Sequence, residues 1–236
     1  MSGNSPTVSS NQPDIHPDLE SIVKKHLEHD YRRPFKQVSL ETFYALSKEV
    51  ANCAAPLIFD SGCGTGESTV FLAQCFREAL VVGLEKSSIR IQKARDKAEP
   101  GSNLLFLRAD LVDIWRLAQQ AGWRLQRHFL LYPNPWPKKR HVRRRWHGHP
   151  VFKELLALGG ILQVRSNWKI YVQEFARAAE IATGRKGSLQ RLSVQEPISA
   201  FEKKYQASGH ELLEYSIDLR AGALPAREAV YPSRSF

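Results

Sequence analysis

Cysteine is scarce in this chain: three in 236 residues, Cys53, Cys63 and Cys75. They are too few and too irregularly spaced for a disulfide framework or a zinc site, so small semi-buried thiols in a reducing compartment, the cytoplasm, are expected. No apolar run approaches the ~20 residues that a membrane-spanning helix requires, which excludes a membrane partner of that kind. The opening MSGNSPTVSSNQPDIHPDLE has neither a basic start nor an apolar centre. It is therefore not a secretory signal, and residues 1–17 are expected to be a disordered polar tail. No internal repeat occurs. Acid is the scarcer charge, with 24 Asp and Glu against 34 Lys and Arg. Six of the cations are Lys138, Lys139, Arg140, Arg143, Arg144 and Arg145, and without them the balance is 28 against 24. The basic character is thus largely local, as suits a polyanion. Trp136, His141, Trp146 and His147 interleave with it, and rings among cations suit base stacking as well as phosphate contact.

What is present in quantity is alternation. Residues 18–28 have a helical period, HDYRRPFKQVS reads as a loop, and 39–52 as a second helix ending before Pro56. Short apolar strands at 57–61, 79–85, 103–110, 127–132 and 159–167 then alternate with helices at STVFLAQCFREA, 87–99 (capped by Ser87 or Ser88), 111–121, 150–158 and 168–182. SLQRLSVQ and ELLEYSIDLR close the chain as two neighbouring strands. The pattern predicts an α/β fold: a mostly parallel seven-stranded sheet, helices on both faces and an antiparallel edge. An N-terminal helical extension over 18–56, a main domain over 57–220 and a tail over 221–236 follow. Ligands of such sheets bind beyond the carboxyl ends of the strands.

Asp60-Ser61-Gly62-Cys63-Gly64-Thr65-Gly66 follows the first strand. Its spacing is not G-x-G-x-x-G, so the dinucleotide fingerprint fails. Acid-x-G-x-G-x-G instead resembles motif I of the S-adenosylmethionine-dependent methyltransferases, in which Asp60 can receive the cofactor's cationic amino group. Glu85 ends the second strand, where a carboxylate can accept from both ribose hydroxyls. Asp110 ends the third, to accept from the adenine amino group or simply to face a helix dipole.

Pro133, Pro135 and Pro137 stiffen the stretch after the fourth strand and aim Asn134 and Trp136. Asn134 offers an acceptor and donors that can read a base edge. Trp136 either stacks on that base or plugs the sheet's end. PNPWPKKRHVRRR resembles the P-D-P-W-P-K-K-R-H-x-K-R-R signature of the tRNA (guanine-N7)-methyltransferase family. Ser166-Asn167-Trp168 stands in the place of its Thr-Asp-Trp, and Ser199-Ala200-Phe201-Glu202-Lys203-Lys204 resembles its Thr-x-x-Glu motif.

The resemblance spans residues 57–220. It implies a Rossmann-like class I methyltransferase, with S-adenosylmethionine as donor and a guanosine of the tRNA variable loop as acceptor. It further implies Asp60, Gly62, Gly64, Gly66, Glu85, Asp110 and Asn134 at the cofactor, and Asn134 and Asn167 at the reaction centre. Trp136, Lys138, Lys139, Arg140, Arg143, Arg144, Asn167, Ser199 and Glu202 fall on the tRNA side. Glu202 buttresses that side or pairs with Lys203 and Lys204. Lys24, Lys25, Arg32, Arg33 and Lys36 extend the footprint or form a solvated face. His147 and His149 have no carboxylate or cysteine to complete a metal set, so no metal is expected. Asparagine replaces the family's aspartate at 134 and 167, and Ser199 replaces its threonine. Two other readings stay open: an N-methyltransferase of exocyclic amines, from Asn134-Pro135-Trp136, and a non-catalytic cofactor- or RNA-binding relative.

Overall fold

The protein is described here by a computed structural model covering residues 3–99 and 101–220. The strands are β1 (Leu57–Ser61), β2 (Leu80–Glu85), β3 (Leu104–Arg108), β4 (Arg127–Leu131), β5 (Ile161–Ser166), β6 (Ser188–Arg191) and β7 (Leu213–Asp218). They form one sheet in the order β3-β2-β1-β4-β5-β7-β6. The first five strands pair in parallel, and β7 pairs antiparallel with both β5 and β6. This is the class I methyltransferase fold, with the antiparallel edge that the closing strands predicted. Strand order reverses between β1 and β4, which opens a crevice beyond their carboxyl ends.

The helices are α1 (Leu19–Glu28), α2 (Gln37–Asn52), α3 (Glu67–Cys75), α4 (Ser88–Arg95), α5 (Leu111–Gln120), α6 (Phe152–Ala157), α7 (Lys169–Thr183) and α8 (Ala200–Ala207). Alternate residues of the central strands feed two apolar cores. Leu57, Phe59, Val82, Leu84 and Leu130 enter one, while Ile58, Val81, Phe129 and Leu131 enter the other. Leu19, Ile22, Val23 and Leu46 of α1 and α2 join the first core, so the helical extension shares the main domain's interior. Among the described residues no helix is long and apolar enough to cross a membrane.

Several boundaries differ from expectation for local reasons. Strand β5 starts at Ile161 because Gly159 and Gly160 both adopt positive φ, and a Cβ at Gly160 would lie 2.4 Å from the Leu125 carbonyl oxygen. Helix α4 is capped by Ser87, whose Oγ accepts from Arg90 N, and it ends at Arg95 rather than Glu99. Helix α8 was not anticipated. Its signal was present: Ser199 caps it by accepting from Glu202 N at 3.1 Å, and Ser with Glu three residues later is the capping-box pattern.

The N-terminal stretch departs most. Residues 3–17 carry no regular structure, yet they lie against the body. Gly3 N donates to the Ala207 carbonyl at 2.8 Å, Ser10 Oγ to the Pro137 carbonyl at 2.6 Å, and Lys139 N to Asn11 Oδ1 at 2.9 Å. Gln12, only 3% exposed, bonds Glu174 and Arg145. Specific polar partners replace the apolar burial that the composition lacks. The tail expected at 221–236 lies outside the described residues.

Candidate active site

The crevice begins with the turn from β1 into α3. Gly62, Gly64 and Gly66 have φ of 83°, 59° and 87°. A Cβ on Gly62 or Gly64 would meet nothing within 4 Å, whereas on Gly66 it would strike Ala94 and Phe106 at 2.8 Å. The third glycine is therefore there for packing, and the first two leave an open face. That face lines a solvent-open cleft, shared with Ser68, Leu131, Ser199 and Phe201.

Asp60 lies behind this turn, 1% exposed, and accepts from Ser68 Oγ at 2.6 Å and Thr69 Oγ1 at 2.7 Å. Both bonds go to Oδ2, and no salt bridge to the side chain forms among the described residues. Burial pushes its carboxyl up to about 6 against the pull of the two hydroxyls. Glu85 is also largely buried. Its Oε1 accepts from Ser87 N at 2.8 Å, while Oε2 has only a 3.7 Å contact with Arg90. Asp110 is committed elsewhere: Oδ1 caps α5 by accepting from Val112 N, and Oδ2 accepts from Lys36 Nζ at 2.9 Å with Arg33 at 3.6 Å. Burial pushes the Asp110 carboxyl up, but Lys36 and Arg33 outweigh it and hold it below the usual range. Arg33 and Lys36 are thus engaged at this end of the crevice and are not a free cationic face.

Beyond β4 the chain makes a tight excursion. Tyr132 and Trp136 have φ of 52° and 46°, the only non-glycine residues at positive φ among those described. Exposed Asn134 closes an Asx turn, its Oδ1 accepting from Trp136 N at 3.2 Å. Trp136 is half-buried, with the Arg144 guanidinium 4.8 Å over its ring and His141 edge-on at 5.7 Å. It does not plug the sheet. A 3-10 turn over Lys139–Arg144 follows. Lys138, Lys139, Arg140, Arg143 and Arg144 are exposed, and none of them enters a salt bridge among the described residues. The three-residue period of that turn sends Val142 and Arg145 inward.

Arg145 is the cation that the sequence misplaces. It is fully buried; NH1 lies 2.5 Å from Glu174 Oε2, and Nε and NH2 donate to the Trp136 carbonyl at 3.3 and 3.2 Å. Burial pushes the Glu174 carboxyl up, but His147 at 2.9 Å and the Arg145 charge hold it down to about 2. Glu202 is likewise consumed. Its Oε1 accepts from Tyr132 Oη at 2.7 Å and Arg165 NH1 at 2.9 Å, and Oε2 accepts from Ile198 N at 2.8 Å. It pairs with neither Lys203 nor Lys204. Ser199 caps α8 with its acceptor lone pair, beside the glycine turn. Asn167, at the end of β5, meets His210 at 2.9 Å. Because β4 and β5 are parallel neighbours, Asn134 and Asn167 follow adjacent strand ends.

A family model described as "Putative methyltransferase" matches residues 54–215. The tRNA (guanine-N(7)-)-methyltransferase of Treponema pallidum (strain Nichols) is 31% identical over 172 residues, 69% of this chain and 67% of that protein. The enzyme of the same name from Pseudoalteromonas atlantica is 30% identical over 173 residues, 69% and 72% of the two chains. The chain belongs to the tRNA (guanine-N7)-methyltransferase family. Solved structures agree on the fold. "Structure of an Antibiotic Related Methyltransferase" superposes with a TM-score of 0.56 at 12% identity, covering 79% of this chain and 96% of the other. The 16S rRNA methyltransferase KamB gives 0.54 at 18% identity, covering 79% and 95%.

A methyltransferase of this family takes S-adenosylmethionine as its donor, and the crevice fits that molecule on its own terms. Asp60 is a buried acid without a cation, Gly62 and Gly64 leave a cradle unfilled, and Glu85 keeps one oxygen free of short bonds. Asp110 fits less well, since two cations already hold it. Among the described residues no group of three or more His, Cys, Asp and Glu could hold a metal ion.

Proposed function

We propose that this chain transfers a methyl group from S-adenosylmethionine to N7 of a variable-loop guanosine in tRNA, working in the cytoplasm. One juxtaposition carries the reading. The uncompensated Asp60 and open glycine turn end β1, while five exposed cations follow its sheet neighbour β4. A cationic cofactor and a polyanionic acceptor would thus meet at adjacent strand ends, at the reversal of strand order.

In this reading Asp60 receives the donor's ammonium and Glu85 its ribose hydroxyls. Lys138, Lys139, Arg140, Arg143 and Arg144 take phosphates. Trp136, braced by Arg144 and His141, offers a face for a base. The bound donor supplies an electrophilic methyl on a sulfonium. Guanine N7 carries a lone pair and no proton, so no general base is required and positioning accounts for most of the rate. Asn134 and Asn167 supply amide oxygens that can accept from the guanine N1–H and exocyclic amine. Incubation with labelled donor and unmodified tRNA, followed by nucleoside analysis, tests the reading. Its expected product is N7-methylguanosine. Label in N6-methyladenosine, or none at any enzyme concentration, would sink it.

A further inference from the structure

Strand β5 runs antiparallel to β7 with Ser166 opposite Leu213, so the residues just after β5 face those just before β7. This brings Asn167 Nδ2 to 2.9 Å from His210 Nδ1. The other ring nitrogen, His210 Nε2, lies 2.9 Å from the Ser5 carbonyl oxygen. A carbonyl oxygen can only accept, so Nε2 carries the proton of that bond. In a neutral imidazole Nδ1 is then a bare lone pair, and the amide group facing it must be the NH2. The ring has little freedom to do otherwise. It stacks on Tyr205 at 5.3 Å and 14°. Ser5 is in turn tied to α8 and the residue after it by its own N–H to Ser208 Oγ and by Gly3 N to the Ala207 carbonyl. The amide is planar, so fixing its NH2 fixes its oxygen on the opposite side. No described residue donates to Asn167 Oδ1.

We infer that His210 is a positioning residue: held in its Nε2–H tautomer by the Ser5 carbonyl, it turns the Asn167 amide so that Oδ1 is presented to the N–H edge of the target base. The inference rests on the methyl-transfer reading given above. It also accounts for asparagine at this position. An aspartate would draw a second proton onto the ring at Nδ1, whereas asparagine lets the neutral Nε2–H tautomer stand.

Imidazole nitrogen shifts of His210 in the 15N-labelled full-length protein read the tautomer without substrate. In the neutral ring Nε2 is expected to be protonated and Nδ1 bare. His210→Ala should lower kcat on tRNA roughly three- to ten-fold, the effect of one lost orienting hydrogen bond, with unchanged Kd for S-adenosylmethionine. His210→Gln keeps one acceptor and one donor on a planar group and should restore most of kcat. A neutral ring protonated at Nδ1 would overturn the inference. So would an undiminished kcat in His210→Ala, or a His210→Gln enzyme no better than His210→Ala. Absence of N7-methylguanosine from the wild-type reaction would instead overturn the functional reading, and the nitrogen shifts would still decide the tautomer.

Discussion

Replacing Asp60 by asparagine tests two quantities at once, because the same carboxylate is costly to bury and is the group proposed to hold the donor's ammonium. Its carboxyl stands at about 6 in the fold against 3.8 in the open chain. That difference in proton affinity, at ~1.4 kcal/mol per factor of ten, corresponds to about 3 kcal/mol. The sign follows from proton binding. Between these two values the folded protein keeps a proton that the unfolded chain has lost, so stability falls as pH rises from about 4 to about 6 and is then level. At neutral pH the ionised carboxylate therefore weakens the fold, and Asp60→Asn should recover about 1–2 kcal/mol of it. The recovery is partial because the bonds from Ser68 and Thr69 lose their charged acceptor. Near pH 4 the gain should vanish. Donor binding should move the other way. Removing the charge-assisted partner of an ammonium costs about 1.5–3 kcal/mol, or roughly ten- to a hundred-fold in Kd. For the wild type, Kd should rise as pH falls below about 6 and Asp60 takes up its proton, levelling off at roughly the same ten- to hundred-fold loss. Urea unfolding near pH 4 and near pH 7, with calorimetric titration of S-adenosylmethionine between them, measures all of this. A Kd that stays flat through that range, or an Asp60→Asn protein that binds donor as tightly as wild type, would refute the reasoning.

Two further perturbations address the other half of the crevice. Glu174→Gln leaves Arg145 buried without its counter-charge and should destabilise the protein by about 3 kcal/mol or more. Because the Glu174 carboxyl is held at about 2, below its ordinary 4.5, its contribution should be complete above about pH 4.5 and fade as pH falls toward 2. A urea midpoint unmoved by the substitution would contradict the ion-pair account. Replacing Lys138, Lys139, Arg140 and Arg143 together by alanine should flatten the dependence of log K for tRNA on log salt by about 3–4, each phosphate contact contributing up to ~0.9. An unchanged slope would mean that these exposed cations touch no phosphate.

The sheet was legible because its strands are short apolar runs closed by polar residues. LIFDS is a complete strand, buried at all five positions, and its limits coincide with the run. The glycine turn was equally plain, since Asp60 and three alternating glycines leave a mark in any α/β chain. Burial inside the basic run was not. Nothing in KKRHVRRRWHG distinguishes Arg145 from Arg144; the distinction comes from the 3-10 turn and from Glu174, 29 residues away. Gln12 and Ser5 were illegible for the same reason. Their partners are single polar atoms on distant elements, and a polar segment that docks through hydrogen bonds has the composition of one that does not. The Glu202 motif was visible as letters, but its direction was not: pairing with the adjacent lysines is the short-range guess, and Tyr132 and Arg165 are the partners that the sheet supplies.

These buried groups explain how the loop after β4 keeps its shape. Tyr132 and Trp136 both sit in the left-handed region without being glycine, at a cost of about 1–3 kcal/mol each. Each has a buried anchor. Glu202 accepts from the Tyr132 hydroxyl, and Arg145 donates twice to the Trp136 carbonyl. The anchors come from separate elements, Glu202 from α8 and Arg145 through Glu174 of α7, so the ends of the excursion are pinned independently. A reaction that needs no base gains its rate from the placement of two atoms, and a displacement of about 1 Å can cost ~10²-fold. Buried ion pairs add little to stability in comparison with apolar packing. Here they fix the loop that carries Asn134 and Trp136, which is where that tolerance would be smallest.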